Sequence, residues 1–388
     1  MEKAKIAILH PKFGKGGSEA RALWILDALK NEHQVFLITS GKLDIQELNE
    51  YYGTNLNSEE FSIIQVPLPF FLQKTEKFAA LRGHLIQKYC QKLAPNFDLL
   101  ISTYNLCDFG KKSIQFIADF SFDEEFRQNI IPENFRKWYL SKNLFREIYL
   151  KFCNFISPFN QKILERDIVI SNSNWTAKLI KEKYGIATKI IYPPVANNFL
   201  NIPFQQRENG FVFIGRITPE KGLDKVIEIL NIVRRKGFDI HLHVVGGIED
   251  KKYGEFLKKI FQKNKDWIFS EGWLGEEKKK DIIVKHRFGI SACKNEAFGI
   301  AIAEMVKGGC IVFVPNGGGQ TEIVAHQSLI YENNEDAARK IEKVLLNNKL
   351  QEKLLSHLSL ISQRFSVENF QKEVKNIVSE SLNNEQTI

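Results

Sequence analysis

Short, nearly continuous apolar runs alternate with longer amphipathic ones along almost the whole chain, and the series begins twice. In the first half the strand-like runs are KIAILHP, QVFLITS, FSIIQVPL, FDLLIST, SIQFIADF and DIVISNS. Helical segments such as EARALWILDALKNE and KFAALRGHLIQKYCQKL separate most of them. After KIIYPPVANNF the rhythm restarts with GFVFIGR, IHLHVVGG, WIFSEGW, FGISAC and CIVFVP. Strands apolar on both faces and joined by helical crossovers belong to parallel sheets covered on both sides. The chain therefore reads as α/β, with two doubly wound, Rossmann-like domains at residues 1–193 and 194–365. The boundary falls at Tyr192-Pro193-Pro194, which cannot continue a helix. The tail from about Asn333 reads as all helix, and its last segment, about 366–388, is expected to pack back on the first domain. Such sheets bind ligands beyond the carboxyl ends of their strands, so the expected site is a cleft that the two domains face across.

A net charge of +8 points to anionic partners such as nucleotides, phosphates or acidic lipid headgroups. No apolar run approaches the roughly 20 residues needed to span a bilayer. The start, MEKAKIAILHPKFG, passes straight from charge into a strand, so a cleaved signal peptide is not expected. Cys90, Cys107, Cys153, Cys293 and Cys310 are scattered without CxxC spacing, which fits reduced cytosolic thiols.

Three turns carry candidate chemistry. In HPKFGKGGSEARALW, Gly14, Gly16 and Gly17 relax the turn from the first strand into the first helix, whose free N–H groups favour a phosphate or an acceptor. A nicotinamide-type GxGxxG is excluded here: Glu19 replaces the last glycine, and no acidic residue closes the second strand. In FVFIGRITPEKGLDKVIEIL, Gly215 ends a strand, Arg216 follows, and Lys221 stands before Gly222 at the next helix. Two cations at strand-end positions can clamp a diphosphate.

The third turn, SACKNEAFGIAIAEMVKGGCIVFVPNGGGQTEIV, sets Glu296 just before a helix expected to begin at Phe298-Gly299-Ile300, and Glu304 inside it. The helix start offers N–H groups and a positive dipole end. Glu296 stands where it can accept hydrogen bonds from sugar hydroxyls. Glu304 is the only charge in the apolar run FGIAIAEMV, and a carboxylate suits the vicinal diol of a ribose. Phosphates at the helix tip with a carboxylate on either side form a nucleotide-sugar site.

These residues resemble the retaining family-4 glycosyltransferases of the GT-B fold. EAFGIAIAE matches their E-x7-E signature, GRITPEKG their diphosphate clamp and GGSE their N-terminal glycine turn. HP…GGSEARALW, SNSNWT and YPPV lean toward mannosyltransferases that extend lipid-linked glycans. The resemblance implies that Arg216 and Lys221 neutralise the departing diphosphate and that Phe298, Gly299 and Ile300 bind its oxygens through N–H groups. It implies further that Glu304 holds the ribose, that Glu296 binds the donor sugar, and that Gly16, Gly17 and Gly215 line the donor. No metal or other cofactor is implied beyond the GDP- or UDP-sugar substrate, and the sequence shows no convincing histidine or cysteine ligand cluster. His241 and His243 share a strand face and read as structural. One departure stands out: where members often carry a histidine, this chain has Ala118-Asp119. Asp119 is accordingly a candidate for the sugar contact, or a cap of the following turn.

The segment FRKWYLSKNLFREIYLKFCNFISPF interleaves aromatics with Arg136, Lys137, Lys142, Arg146 and Lys151, as suits a helix approaching an anionic membrane. The expected protein is a cytoplasmic enzyme, peripheral on the inner face of the membrane, that moves a sugar with retention onto a glycan or glycolipid. Rival readings are a GT-B epimerase or hydrolase, and a non-enzymatic basic membrane- or nucleic-acid-binding protein. The latter does not need Glu296 and Glu304, and stacking motifs for nucleic acid are absent, so no nucleic-acid partner is expected.

Overall fold

The structure is a computed structural model that describes residues 3–73, 78–120, 122–123, 125–126, 143–158, 162–196 and 199–385. These fall into two compact units. Unit 1 comprises the described residues up to Phe126, those from 143 to Pro194, and those from Val367 on, while unit 2 runs from Val195 to Ser366.

Unit 1 contains β1 (Lys5–Leu9), β2 (Gln34–Thr39), β3 (Ser62–Gln65), β4 (Leu99–Ser102), β5 (Ile114–Phe116), β6 (Ile168–Ser171) and β7 (Lys189–Ile190). They form one parallel sheet in the order β3-β2-β1-β4-β5-β6-β7. The chain order reverses between β1 and β4, and that switch point opens a crevice at the carboxyl ends of the strands. The helix Gly17–Leu29 buries Leu23, Ile25, Leu26 and Leu29 against the sheet, and the final helix Val367–Glu385 adds Phe370, Val374, Ile377 and Val378 to the same core. Gln371 Nε2 donates to Asp27 Oδ2 at 2.8 Å across these two helices. In SNSNWTAKLIKEKYG, Ser173 Oγ accepts the N–H of Thr176 at 3.0 Å and Gly185 ends the helix at φ 75°, so both helix boundaries are written locally.

Unit 2 repeats the plan with β8 (Glu208–Ile214), β9 (His241–Val245), β10 (Ile268–Gly272), β11 (His286–Ile290), β12 (Ile311–Pro315) and β13 (Ile330–Tyr331). Their order is β10-β9-β8-β11-β12-β13, all parallel, with the switch point between β8 and β11. The core strands carry near-continuous apolar residues; every residue of β12 is buried. Phe211, Phe288 and Phe313 meet on three adjacent strands, the first two stacked at 5.1 Å.

Three local expectations change. The run SIQFIADF is strand only over Ile114–Phe116, because the chain turns at Ala118-Asp119, whose N–H groups go to Asn105 Oδ1. The two-residue strands β7 and β13 were not anticipated: each exists only as a partner of its neighbour. The helix expected from Phe298 begins at Ile300, after Gly299 at φ 104°.

Candidate functional site

At the switch point of unit 2, two loops carry the residues expected to clamp a diphosphate. β8 leads through Gly215 to Arg216, and a short 3-10 turn, Pro219–Lys221, brings Lys221 round before the helix Leu223–Arg235. β11 leads through Ser291 to Glu296 and the helix Ile300–Lys307. Lys221 Nζ and Glu296 Oε2 form an ion pair whose side chains are 21% and 20% exposed. Burial works against the charged form of Lys221, yet Glu296 outweighs it and the ammonium is held well above its ordinary range. Arg216 is more open, 57% exposed, and donates to Glu249 Oε2 at 3.0 Å. The two cations are thus held by carboxylates of their own unit, an arrangement that an anionic ligand can replace.

The triple glycine accounts for the position of Glu296. A Cβ on Gly317 would stand 2.6 Å from the Lys294 carbonyl, and one on Gly318 only 2.4 Å from that of Glu296. Gly319 N donates to Glu296 O at 2.8 Å. Gln320, fully buried, donates through Nε2 to the carbonyls of Cys293 and Gly317. Only a side-chain-free segment can pass this close under the Lys294–Glu296 turn and hold it. Two buried polar atoms in these loops, Thr218 Oγ1 and Gln320 Oε1, have no protein partner.

Glu304 is neither a loose surface group nor alone. Lys279 Nζ lies 2.8 Å from Glu304 Oε1 and 2.8 Å from Glu276 Oε2, with the three side chains 10–17% exposed. Burial, reinforced by Glu304 and opposed by Lys279, raises the pKa of Glu276. Sequence reasoning missed Lys279 because GEEKKKD reads as a solvated charge run; only folding turns Lys279 inward. Phe298 is buried with its ring 5.4 Å from Phe365, so its side chain anchors the turn while Gly299 and Ile300 form the helix tip.

The first glycine turn differs from its expectation. Gly16 N donates to the Tyr52 hydroxyl at 2.7 Å, and Gly14 N donates to Glu19 Oε1 at 3.2 Å. Ser18 Oγ donates to Glu19 Oε2 at 2.7 Å. The Glu19 carboxylate thus stands beside the turn expected to receive a phosphate or an acceptor, and Tyr52 takes the N–H of Gly16.

Beyond this turn, the carboxyl ends of the unit 1 strands carry a polar cluster that sequence reasoning largely missed. Arg21 is buried, with Nη1 donating to Ile117 O at 3.2 Å and Nη2 to Thr103 O at 2.5 Å. Burial lowers its pKa to about 10 against the opposing pull of Asp119 and Glu19. His10 Nδ1 lies 2.9 Å from Thr103 Oγ1, and burial together with Arg21 lowers its pKa to about 3, so it is neutral at physiological pH. Asp119 Oδ1 accepts from Asn105 Nδ2 at 3.0 Å. Further along DFSFDEEF, Asp123 Oδ1 accepts the N–H of Phe126 at 2.9 Å.

Of the basic aromatic segment, Arg136, Lys137 and Lys142 lie outside the described residues. Arg146 and Lys151 lie on the helix Leu144–Ile156, which exposes Leu144, Phe145, Ile148, Phe152 and Phe155. Among the described residues no helix is long and apolar enough to cross a membrane. The expectation that no histidine ligand cluster exists is corrected: Glu208, His241, His243 and His286 bring one potential ligand atom each to within 4.8 Å of one another. Strand register, which the spacing of these residues does not reveal, unites them.

Known proteins resemble this chain in sequence and in fold. Residues 196–356, nearly all of unit 2, match the family described as Glycosyl transferases group 1. A GDP-Man:Man(3)GlcNAc(2)-PP-Dol alpha-1,2-mannosyltransferase of Dictyostelium discoideum is 23% identical over 273 residues, covering 63% of this chain and 53% of that protein. The Homo sapiens protein of the same description is 25% identical over 202 residues, 46% of this chain and 41% of that one. The chain thus spans about half the length of these curated relatives or less. Among solved structures, Anabaena Alr3699/HepE in complex with UDP and glucose superposes with a TM-score of 0.69 at 15% identity, covering 97% of this chain and 99% of that one. WaaG, a glycosyltransferase involved in lipopolysaccharide biosynthesis, gives 0.68 at 16% identity over 96% and 99%. The fold is GT-B, as the motif resemblance implied.

Proposed function

With unit 2 matching the group 1 glycosyl transferases throughout nearly all its length, we propose that the chain transfers mannose from GDP-mannose to a lipid-linked glycan, with retention of configuration. The observation that carries the reading is the Arg216, Lys221 and Glu296 constellation at the β8/β11 switch point. A diphosphate displaces the two carboxylates from the two cations, and the N–H groups of Phe298, Gly299 and Ile300 receive its remaining oxygens. Glu296, released from Lys221, accepts hydroxyls of the donor sugar. Glu304, oriented by Lys279, takes the ribose diol.

The chemical demand is to stabilise negative charge on the leaving diphosphate. Two cations and a helix dipole supply it without a divalent ion. The acceptor hydroxyl attacks on the face from which the diphosphate departs, and a diphosphate oxygen takes its proton, so no protein nucleophile is required. Unit 1 receives the acceptor. Its glycine turn, lined by Glu19 and Tyr52, suits hydroxyls better than phosphates, and Asp119 at the end of β5 hydrogen-bonds a sugar hydroxyl. The exposed apolar face of the helix Leu144–Ile156, with Arg146 and Lys151, rests on the anionic cytoplasmic surface that carries the lipid-linked acceptor.

The test is product analysis. GDP-mannose, UDP-glucose and dTDP-glucose are each incubated with the chain and a short-chain lipid-diphosphate glycan. An α-mannosylated acceptor and free GDP support the reading; free mannose or an isomerised nucleotide sugar without acceptor product overturns it. Thermal stabilisation ranks the nucleotides independently, since a ligand at 100 times its Kd adds about 2.7 kcal/mol.

A further inference from the structure

We propose that Glu208, His241, His243 and His286 form a binding site for a divalent transition-metal ion, Zn²⁺ by ligand chemistry, at the amino ends of β8, β9 and β11. The parallel register sets His286 beside Glu208 and His241 beside Gly210 on adjacent strands. His286 Nε2 lies 3.1 Å from His241 Nε2, and Glu208 Oε2 lies 3.3 Å from His241 Nε2 and 3.7 Å from His286 Nε2. Ligands at bond lengths of about 2.0–2.1 Å around a tetrahedral ion stand roughly 3.3 Å apart, close to these three spacings, and His243 completes a set whose ligand atoms lie within 4.8 Å of one another.

The outer atoms are arranged to suit. His286 Nδ1 donates to Ile282 O at 2.6 Å and His243 Nδ1 to Glu271 Oε1 at 2.7 Å. A carbonyl and a carboxylate can only accept, so both rings carry their proton on Nδ1 and keep a lone pair on Nε2, which His286 turns toward His241. Such backing of metal-bound imidazoles by carbonyl or carboxylate fixes tautomer and ring orientation. The position facing His241 must be glycine: a Cβ on Gly210 would stand 2.2 Å from His241 Nε2. Glu208 is 54% exposed and leaves one side of the group open for entry of an ion, while His286 closes the other.

The site is remote from the proposed transfer chemistry. It lies at the amino ends of parallel strands, whereas Arg216 follows the carboxyl end of β8, about 20 Å away at ~3.3 Å per residue. Its role is to tie three core strands of unit 2 together, so it does not depend on the glycosyl transfer reading.

The experiment uses the full chain without a histidine tag, stripped with a chelator and dialysed. Titration with ZnCl₂, followed by calorimetry and elemental analysis, is expected to show one equivalent bound per chain with a Kd of micromolar or below, and a rise in Tm. Co²⁺ in its place should give the intense visible absorption of a four-coordinate ion. Glu208→Gln and His243→Gln each weaken binding at least about 10-fold, and Glu271→Gln, which touches only a ligand, about 10- to 100-fold. Gly210→Ala, which changes no ligand atom, also weakens it. His326→Gln, on another face, leaves it unchanged, and kcat on GDP-mannose at low temperature is the same with and without Zn²⁺. Absence of stoichiometric binding, or undiminished affinity in the Glu208→Gln/His243→Gln double variant, overturns the proposal; if a variant misfolds, the titration and Co²⁺ spectrum of the parent chain still decide it.

Discussion

The turn after β1 and the turn after β8 occupy the same place at the switch points of two parallel sheets, and they arrange their charges differently. Each follows a strand at the switch point, and each leads into a helix whose first N–H groups lack helical partners. After β1 the turn carries Lys12 and Lys15, and the Glu19 carboxylate accepts from Gly14 N and Ser18 Oγ. After β8 the turn instead presents Arg216 and Lys221, held in check by Glu249 and Glu296. The topology supplies a crevice in both units; the proposed function assigns the diphosphate to the one where two cations are paired with carboxylates.

The sharpest way to break the contrast is to remove the cations. Lys221→Ala and Arg216→Ala should each lower kcat/KM on the order of 100-fold or more, through loss of charge stabilisation on the leaving group. Steady-state kinetics on variants with unchanged Tm decide it, and near-parental values in both would sink the clamp. Next in size is Glu304→Gln. Losing a charged acceptor for the ribose costs about 1.5–3 kcal/mol, so KM for the nucleotide sugar should rise about 10- to 100-fold with little change in kcat. A variant with parental KM would reduce Glu304 to a partner of Lys279.

A middle effect is expected at Asp119→Asn. The buried guanidinium of Arg21 loses part of its compensating charge, so Tm should fall with a stability loss of about 1–3 kcal/mol, and kcat should fall with it. Unchanged Tm with lowered kcat would confine Asp119 to substrate contact; lowered Tm with normal kcat would confine it to supporting Arg21. Smaller still is the joint change Arg146→Gln/Lys151→Gln. Each charge near an anionic surface contributes about 1 kcal/mol, so vesicle binding should weaken while turnover on a soluble acceptor holds. Sedimentation with phosphatidylserine vesicles reads it, and unaltered binding would leave the exposed face of Leu144–Ile156 without its proposed membrane. The smallest effect expected is at the other turn: Glu19→Gln should leave KM for the nucleotide sugar within about 2-fold of the parent, since no phosphate binds there by this account. A large change in that KM would erase the distinction between the two turns.

How legible the site was depended on distance along the chain. GRITPEKG and EAFGIAIAE each place their chemistry within a few residues of a strand end, and strand ends can be read from a run of apolar residues. Lys279, Arg21 and the Glu208–His286 group could not be read this way. Lys279 belongs to a charge run of ordinary appearance, Arg21 to a helix whose buried face is otherwise apolar, and the four metal-ligand candidates to three separate strands.

The sequence by itself determined two parallel sheets, their helical covers and the charge of each strand-to-helix turn, because apolar periodicity and glycine placement act over a few residues. Tertiary structure alone decided which carboxylate meets which cation, why Gly317 and Gly318 must lack side chains, and that Glu208, His241, His243 and His286 meet at the amino ends of three neighbouring strands. Those facts follow from the order and register in which distant strands pair, and register is settled by burial of the whole core rather than by any local pattern.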